Sequence, residues 1–417
     1  MSTARSCANT AGSPFVCVRL GAFGSAQGTR LSEIDVTDMR YIGNKTKLLP
    51  FITDAIGRLG ITPGVAHDAF AGTAAVGRAL KRAGWVVHSS DLMTYSYVMQ
   101  RAYVVASRID QFRDLAKADP DVRRLLASHR NGGNSGASNG IPTNAAERAT
   151  RRIHVIARYL ATDTSSENGF FADHFGPSGG RMYFTDENAR RIDAARTTLH
   201  RWQQAGLLTD DAFFLLLAGI IEGADRVANT AGVYAAYIKS WQPNALRPFS
   251  ITVEPPITAR RRSMAHRADA ERVAQELGAI DLLYVDPPYN TRQYSGYYHV
   301  PELLARGWFD GTVHLRGKTG LISDSQQRSA WCSRREAPSA LRALLMATGA
   351  RHVLVSYNSE GVIPDREVRA ILRDVAVDGR ARRFARRYKR YRADSDREGR
   401  RYKGDVVSEL LYYARLR

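Results

Sequence analysis

Segments with a helical spacing of apolar residues alternate along the chain with short, nearly continuous apolar runs. In "YIGNKTKLLPFITDAIGRLG", Leu48, Ile52 and Ile56 share one face of a predicted helix. The segment "VAHDAFAGTAAVGRALKRAG" predicts a strand that ends near Asp68, a loop of small residues and a helix, and "WVVHSSDL" predicts a second strand that ends at Asp91. A strand, tight loop, helix and strand form a βαβ unit, so the pattern predicts an α/β fold with a sheet that is parallel at its centre.

The middle of the chain has the pattern of a helical insertion. It opens with "RNGGNSGASNGIPTN", a Gly-, Asn- and Ser-rich stretch that indicates a loop or boundary. Residues 145–229 are predicted to be mostly helical, and Thr209 is a candidate N-cap for the apolar helix that contains residues 213–221. Helical spacing is clearest for four residues: Ile192, Ala195, Leu199 and Trp202.

Strand patterns return in the last third of the chain. "IDLLYV" and "HVLVSYN" predict strands, and "RRFARRYKRYR" with "VVSELLYYARL" predicts a terminal β-hairpin. The predicted organisation is a loosely ordered leader over 1–38, the first part of an α/β core over 39–127, the helical insertion over 128–279, and the second part of the core with the hairpin over 280–417. Met39 directly precedes the first patterned segment, so translation could begin at Met1 or at Met39.

The amino-acid composition indicates what kind of partner the protein binds. The 417 residues include 60 Lys and Arg against 41 Asp and Glu, a formal charge of +19, while hydrophobic content is an ordinary 44%. These values favour a folded protein with a polyanionic partner. Three cysteines without a CxxC pair indicate neither a disulfide framework nor a zinc site, which favours a reducing cytoplasm. No apolar run reaches the ~18 residues that a membrane span requires.

The stretch "DLLYVDPPY" indicates a functional loop. Its apolar strand stops at Asp286, and Pro287 and Pro288 then restrict the backbone path. Asp286 and Tyr289 are therefore expected on a stiff loop at the carboxyl end of a strand, where open α/β sheets bind ligands. The alternative interpretation is an ordinary turn with Asp as its opening residue.

The loop "DAFAGTAAVG" is typical of nucleotide-cofactor sites, although it lacks the Lys and Ser/Thr of a phosphate-binding P-loop. Gly72 would allow a ligand to approach the backbone, and Asp91 follows Asp68 at about the spacing of an acidic residue that binds ribose hydroxyls. Two acidic residues suit a cofactor with an adenosine and a positive charge, such as S-adenosylmethionine. A tight packing turn is the alternative.

Together, "RYIGNKTKLLPFI", "DAFAGTAAVG" and "DPPY" occur in an order that resembles the Dam-like group of DNA adenine-N6 methyltransferases, which commonly belong to restriction-modification systems. The resemblance runs from Met39 to the C-terminus. It implies a Rossmann-like methyltransferase sheet with cofactor binding in 39–127, target recognition in the helical insertion 128–279, and catalysis in 280–417. It also implies S-adenosylmethionine contacts from Tyr41, Gly43, Lys45, Asp68, Phe70, Gly72, Asp91 and Asp286. The family usually has a second glycine in the loop, where this chain has Thr73, Ala74 and Ala75.

The "DPPY" residues suit chemistry on an exocyclic amine, whose lone pair is delocalised into the ring. The Asp286 carboxylate and the Pro287 carbonyl, held by Pro288, can accept the two amine protons and localise that lone pair. Tyr289 can stack against an extruded base. Direct methyl transfer requires neither a metal nor a covalent enzyme intermediate, and the ten histidines show no paired ligand spacing.

Candidate DNA contacts lie in two places. Arg386, Arg387, Lys389 and Arg390 belong to a dense basic segment that could bind phosphates, although such a run is often only a solvated face. Tyr234 and Lys239 follow an interrupted helix in the insertion. The expected partner is double-stranded DNA, and a cognate restriction endonuclease is possible.

Three other functions stay open from the sequence alone. Adenine in structured RNA could be the target, because the chemistry depends on the amine and not on the sugar. Cytosine-N4 methylation is less favoured, since that group usually has Ser in place of Asp286. A non-catalytic nucleic-acid-binding protein of the same fold is the third alternative.

Overall fold

The computed structural model describes residues 39–131, 144–162, 169–323, 329–389 and 406–416, so the predicted leader over 1–38 lies outside the described residues. The strands found in these ranges are β1 (Val65–Ala69), β2 (Val86–Asp91), β3 (Met264–Arg267), β4 (Ala279–Val285), β5 (Leu315–Arg316), β6 (Leu321–Ile322), β7 (Gly349–Asn358), β8 (Arg382–Lys389) and β9 (Val406–Arg415). Seven of them form one sheet in the order β3-β2-β1-β4-β7-β9-β8, and β5 and β6 form a separate pair.

The sheet is parallel through its centre and changes direction at one strand. β3, β2, β1, β4 and β7 are parallel neighbours, whereas β9 pairs antiparallel with both β7 and β8. This arrangement confirms the predicted parallel centre and the predicted terminal hairpin, and it is the arrangement of a Rossmann-like methyltransferase sheet.

Helices surround the sheet on both faces. Their bounds are α1 (Leu49–Arg58), α2 (Ala75–Arg82), α3 (Thr94–Gln100), α4 (Arg113–Ala118), α5 (Pro120–Asn131), α6 (Ala145–Thr162), α7 (Phe170–Phe175), α8 (Asp186–Gln204), α9 (Asp210–Arg226), α10 (Ala270–Leu277), α11 (Tyr294–Tyr297), α12 (His299–Arg306), α13 (Ala337–Ala347) and α14 (Asp365–Val375). Within the described ranges, no helix has both the length and the apolar character needed to cross a bilayer.

The alternation of side chains along β4 connects two apolar cores. Leu282 and Tyr284 pack with α1, α2, α3 and the helices of the insertion, while Leu283 and Val285 pack with α10, α13 and α14. A strand buried on both faces has an apolar residue at nearly every position, because neither face is in contact with water. This explains the continuous apolar run that precedes Asp286.

α9 is the apolar helix predicted in the insertion, and its N-terminus is capped as expected. The Thr209 hydroxyl accepts a hydrogen bond from the Ala212 N–H. Further along, a Cβ added at Gly223 would lie 2.4 Å from the carbonyl oxygen of Ser250. The glycine therefore lets α9 lie directly against an extended backbone segment, a contact that any larger residue would disrupt.

β3 extends the sheet into the range 128–279, which the sequence assigned to the helical insertion. It pairs with β2, with Ala265 opposite Ser89. Its sequence, "MAHR", contains no apolar run, so it carries no strand pattern of its own. The sheet thus resumes before the predicted end of the insertion, and the functional limits of the domains stay a prediction.

Arg40 fixes the start of the described chain to the end of α9. Its backbone N–H and its Nε donate to Asp225 Oδ2 at 2.8 and 3.3 Å, and its Nη1 donates to the Thr230 carbonyl at 3.0 Å. The buried Asp225 also accepts from the Tyr234 hydroxyl at 3.1 Å. These bonds hold the loop that follows Arg40 against the insertion.

Asp225→Ala should therefore destabilise the protein. The substitution removes the acceptor of the buried Tyr234 hydroxyl and that of the half-buried Arg40 N–H and Nε, for an expected decrease of about 2–4 kcal/mol in the free energy of unfolding. Urea denaturation measures this decrease. Asp54→Ala is the control, because it removes only an exposed ion pair with Arg58 and should change stability by less than about 0.5 kcal/mol. Equal decreases in the two variants would contradict this account.

Candidate active site

A cleft lies at the carboxyl ends of β1, β2 and β4. Its walls come from the loop before α1, the loop after β1, the end of β2 and the loop after β4. The structure brings together in this cleft every residue predicted to bind the cofactor and all four "DPPY" residues, namely Tyr41, Gly43, Lys45, Asp68, Phe70, Gly72, Asp91, Asp286, Pro287, Pro288 and Tyr289.

The loop after β1 adopts an unusual backbone. Phe70, Gly72 and Ala74 all have left-handed φ values, of 64°, 53° and 61°. A Cβ on Gly72 would lie 3.0 Å from the Tyr41 ring, so glycine is required there by both conformation and space. Ala74 adopts the left-handed conformation although it is not glycine, and it is fully buried. The backbone strain that follows from the loop's departure from the family pattern therefore falls on Ala74.

Asp91 holds this loop in position. One of its carboxylate oxygens accepts the Gly72 N–H at 3.0 Å, and the other accepts the Met93 N–H at 2.9 Å. Each carboxylate oxygen can accept a second hydrogen bond. Asp91 thus both shapes the cleft and retains acceptor capacity toward a ligand.

Asp68 is a buried acid in the wall of the cleft, and one of its oxygens is an unpartnered acceptor. It is 1% exposed, and its Oδ2 has no hydrogen-bond partner. Burial, together with the nearby Asp286, raises the pKa of Asp68 to about 8. An orphaned buried carboxyl group of this kind fits a ligand that carries a positive charge.

Tyrosines that the sequence analysis did not select support the loop before α1. Tyr298 packs against Tyr41 with tilted rings whose centroids are 4.6 Å apart, and its hydroxyl accepts the Ile42 N–H at 2.7 Å. The Tyr95 hydroxyl donates to that of Tyr41 at 3.1 Å. For Tyr298, the available signal was the dense tyrosines in "QYSGYYHV", which begins three residues after "DPPY".

Lys45 lies in the wall of the cleft, as predicted, and it also lies directly beside Asp286. Its Nζ is 3.1 Å from Asp286 Oδ1, and it also donates to the Tyr289 hydroxyl, which in turn donates to Asp286. Burial raises the pKa of Asp286 to about 7, while the neighbouring Lys45 ammonium acts in the opposite direction. A carboxyl group with a pKa near neutrality can exchange a proton under physiological conditions.

Tyr289 is packed into the site. A Cβ on Gly43 would lie 3.2 Å from its ring, Tyr357 meets it edge-on at 5.5 Å, and the Lys45 ammonium lies 4.4 Å from its ring centroid. The residue is only 9% exposed. Stacking of Tyr289 on a base stays a prediction, and it requires the ring to gain an open face.

The residues predicted to bind DNA differ in their exposure to solvent. Tyr234 is 1% exposed, and its hydroxyl is bonded to Asp225, so in this arrangement it is a packing residue and not an exposed DNA contact. Lys239, Arg386 and Arg387 are exposed. Lys389 is the last residue of β8, and Arg390 lies outside the described residues.

Comparison with known proteins agrees with this geometry. Residues 41–362 match the family model for D12 class N6 adenine-specific DNA methyltransferases, and the chain belongs to this family. The match confirms the resemblance found in the sequence: this is an adenine-specific DNA methyltransferase.

Similar proteins are methylases of restriction-modification systems. The chain is 31% identical to the type II methyltransferase M.NlaIII of Neisseria lactamica, over 90% of this chain and 98% of the relative. It is 30% identical to M.FokI of Planomicrobium okeanokoites over 90% of this chain, and it spans about half of that relative, 52%. It is 28% identical to M.CviAII of Paramecium bursaria Chlorella virus 1, over 97% of the relative. No solved structure matches the chain.

Proposed function

We propose that this methyltransferase uses S-adenosylmethionine to methylate N6 of an adenine extruded from a specific site in double-stranded DNA. The observation that carries the proposal is the position of Asp286 at the carboxyl end of β4. Its side chain is only 15% exposed, and it lines the same cleft as Asp68 and Asp91. An acceptor for the amine and a site for a cationic cofactor thus share one cleft.

The residues of the cleft fit S-adenosylmethionine. Asp68 offers an unpartnered buried acceptor, Asp91 retains acceptor capacity for ribose hydroxyls, and Gly72 lines the same cleft. Tyr41, Gly43 and Phe70 supply further surface in the same cleft. When bound, S-adenosylmethionine supplies a methyl group activated by its positively charged sulfur.

Asp286 and Pro287 would act on the target amine. The Asp286 carboxylate and the Pro287 carbonyl accept the two N6 protons, which draws the nitrogen lone pair out of conjugation. The methyl group would exchange its bond to sulfur for a bond to N6, N6 would lose one proton, and Asp286 would be the group that takes this proton. Its pKa of about 7 suits a group that accepts a proton and later returns it to water.

Contacts with DNA are proposed for the exposed basic residues. Arg386 and Arg387 on β8, with Lys389 and Arg390 beyond them, would bind phosphates, and Lys239 would add a contact from the insertion. The relatives named as type II methylases support a role beside a cognate restriction endonuclease.

Cofactor affinity should depend on pH through Asp68. A cationic ligand favours the ionised carboxylate, and the pKa of Asp68 in the free protein is about 8, so affinity should rise from about pH 6 to pH 8 and level off above it. Calorimetric titration in buffers of different ionisation enthalpy should show proton release on binding near pH 7. Asp68→Asn should weaken the pH dependence and leave only the contribution of Asp286 in the same cleft, whereas Asp114→Asn, at an exposed site, should keep it whole. Binding without proton release would remove Asp68 from the cofactor site.

Asp286→Asn should lower methyl transfer about a hundredfold or more, because the transition state no longer has one of its preorganised acceptors. The assay uses labelled S-adenosylmethionine with plasmid DNA, RNA or no acceptor, followed by identification of the methylated nucleoside. We expect N6-methyladenine in DNA. Asp374→Asn, at an exposed position on α14, is the control. Near-normal turnover by Asp286→Asn would disprove the proposed chemistry, and label in RNA alone would disprove the DNA substrate.

Neutralising Arg386 and Arg387 together should flatten the salt dependence of DNA binding. Removal of each bond to a phosphate should reduce the slope of log affinity against log salt by about 0.9. Arg342→Ala on α13 is the control, because that residue pairs with Asp374 on the helical layer. An unchanged slope with weaker sequence preference would mean that the two arginines bind bases instead.

A further inference from the structure

Glu409 is a buried acid on the terminal hairpin that lies beside the active site. It belongs to β9, where it pairs with Asn358 of β7 on one side and Arg386 of β8 on the other. Glu409 is 8% exposed, and its Oε2 has no hydrogen-bond partner. A buried carboxylate oxygen without a donor is costly, so its persistence at this place calls for a reason.

The cation nearest to this oxygen is Lys45. The Lys45 Nζ lies 3.1 Å from Asp286 Oδ1 and 3.9 Å from Glu409 Oε2, and the lysine is 3% exposed. One buried ammonium thus stands between two carboxyl groups, bonded to Asp286 and only within ion-pair distance of Glu409.

This arrangement lowers the basicity of Asp286. Its Oδ1 accepts from Tyr289 and lies against Lys45, and the ammonium opposes the proton uptake that the proposed role requires. If Lys45 moved away from Asp286 without another partner, its buried ammonium would be left uncompensated. Only a small displacement of Nζ would bring it into hydrogen-bond contact with Glu409.

We infer that Glu409 is a positioning residue, which takes over the Lys45 ammonium when Asp286 turns to the target amine. The inference rests on the proposed function of Asp286. The inference gives the unpartnered Oε2 of Glu409 a role, because this atom accepts from the Lys45 ammonium once Lys45 has moved away from Asp286. It also connects the hairpin that carries Arg386 to the chemistry at Asp286.

The charges around the cluster determine the effect on pH. The titratable groups that surround Asp286 and Glu409 come from several elements: Lys45 from the loop before α1, Asp68 from β1, Tyr284 from β4, Tyr289 from the loop after β4, and Tyr294 from α11. The negative charge of Glu409 raises the pKa of Asp286 and thereby loosens its attachment to Lys45. Without that charge, Asp286 would hold Lys45 more tightly and would ionise at lower pH.

Glu409→Gln tests the inference in the full-length protein. Single-turnover methyl transfer, measured from about pH 5.5 to 9, should be about tenfold slower at its optimum, with an acid limb displaced to lower pH and a KM for DNA changed less than about twofold. In the protein alone, the carboxyl carbon signal of Asp286, identified by its absence in Asp286→Asn, should titrate at lower pH. Glu409→Asp keeps the charge and should recover part of the rate with the wild-type pH profile.

Glu222→Gln is the matched control, because Glu222 is a buried acid on α9 at a distance from the cleft and should leave the pH profile unchanged. A wild-type rate and pH profile in Glu409→Gln would overturn the inference. So would a Glu409→Asp variant as slow as Glu409→Gln, since the charge would then have no role. Failure of the proposed function has a different signature, namely full activity in Asp286→Asn.

Discussion

The active site depends on several acidic side chains that are wholly or largely buried and on one ammonium group beside them, that of Lys45. Asp68, Asp91 and Asp286 stand at the ends of three adjacent parallel strands, and parallel strands bring such side chains to one edge of the sheet. Burial opposes their ionisation, as the raised pKa values of all three show. Lys45 lowers this cost for Asp286 alone, while Asp91 is stabilised by backbone N–H groups. Asp68 has the least compensation, which leaves it suited to a cation that arrives from outside.

The loop before α1 supplies that ammonium, and much of the surrounding structure serves to hold the loop. Arg40 ties it to the end of α9, and Tyr298 binds the backbone of Ile42. Tyr41 then packs over Gly72. The helical insertion therefore contributes to the position of Lys45, besides any role in target recognition. A loop with so few regular backbone bonds of its own needs these external contacts to place a charge within hydrogen-bond range of Asp286.

β9, which runs antiparallel to both of its neighbours, connects the core sheet with the basic edge strand β8. β9 lies between β7 and β8, so residues 409–413 have register partners both in the core sheet and on the basic edge strand. Glu409 points toward Lys45, while its cross-strand neighbour Arg386 is exposed. The DNA contact proposed for β8 would thus be one strand away from the cluster at Asp286, a short path for mechanical or electrostatic coupling.

Local patterns in the sequence were enough to predict the parallel centre of the sheet, the terminal hairpin and the acidic and glycine positions of the cleft, whereas Tyr41, Gly43, Lys45 and Phe70 were expected there only from the family resemblance. Asp286 follows an apolar strand and precedes two prolines, Gly72 follows another strand, and Asp91 ends a third, so backbone rules alone place all of them at one edge. β3 was not predicted, because four residues with little apolar character form a strand only through pairing with β2. Tyr234 looked like a surface residue after a helix break, yet its hydroxyl bonds Asp225 across the folded insertion. Glu409 carried no signal either, since its place beside Lys45 follows from the register of β9 against β7. Which residues end the strands could be predicted because it depends on neighbours along the chain. Which charges meet emerges only in the folded molecule, because it depends on the packing of segments that are far apart in the sequence.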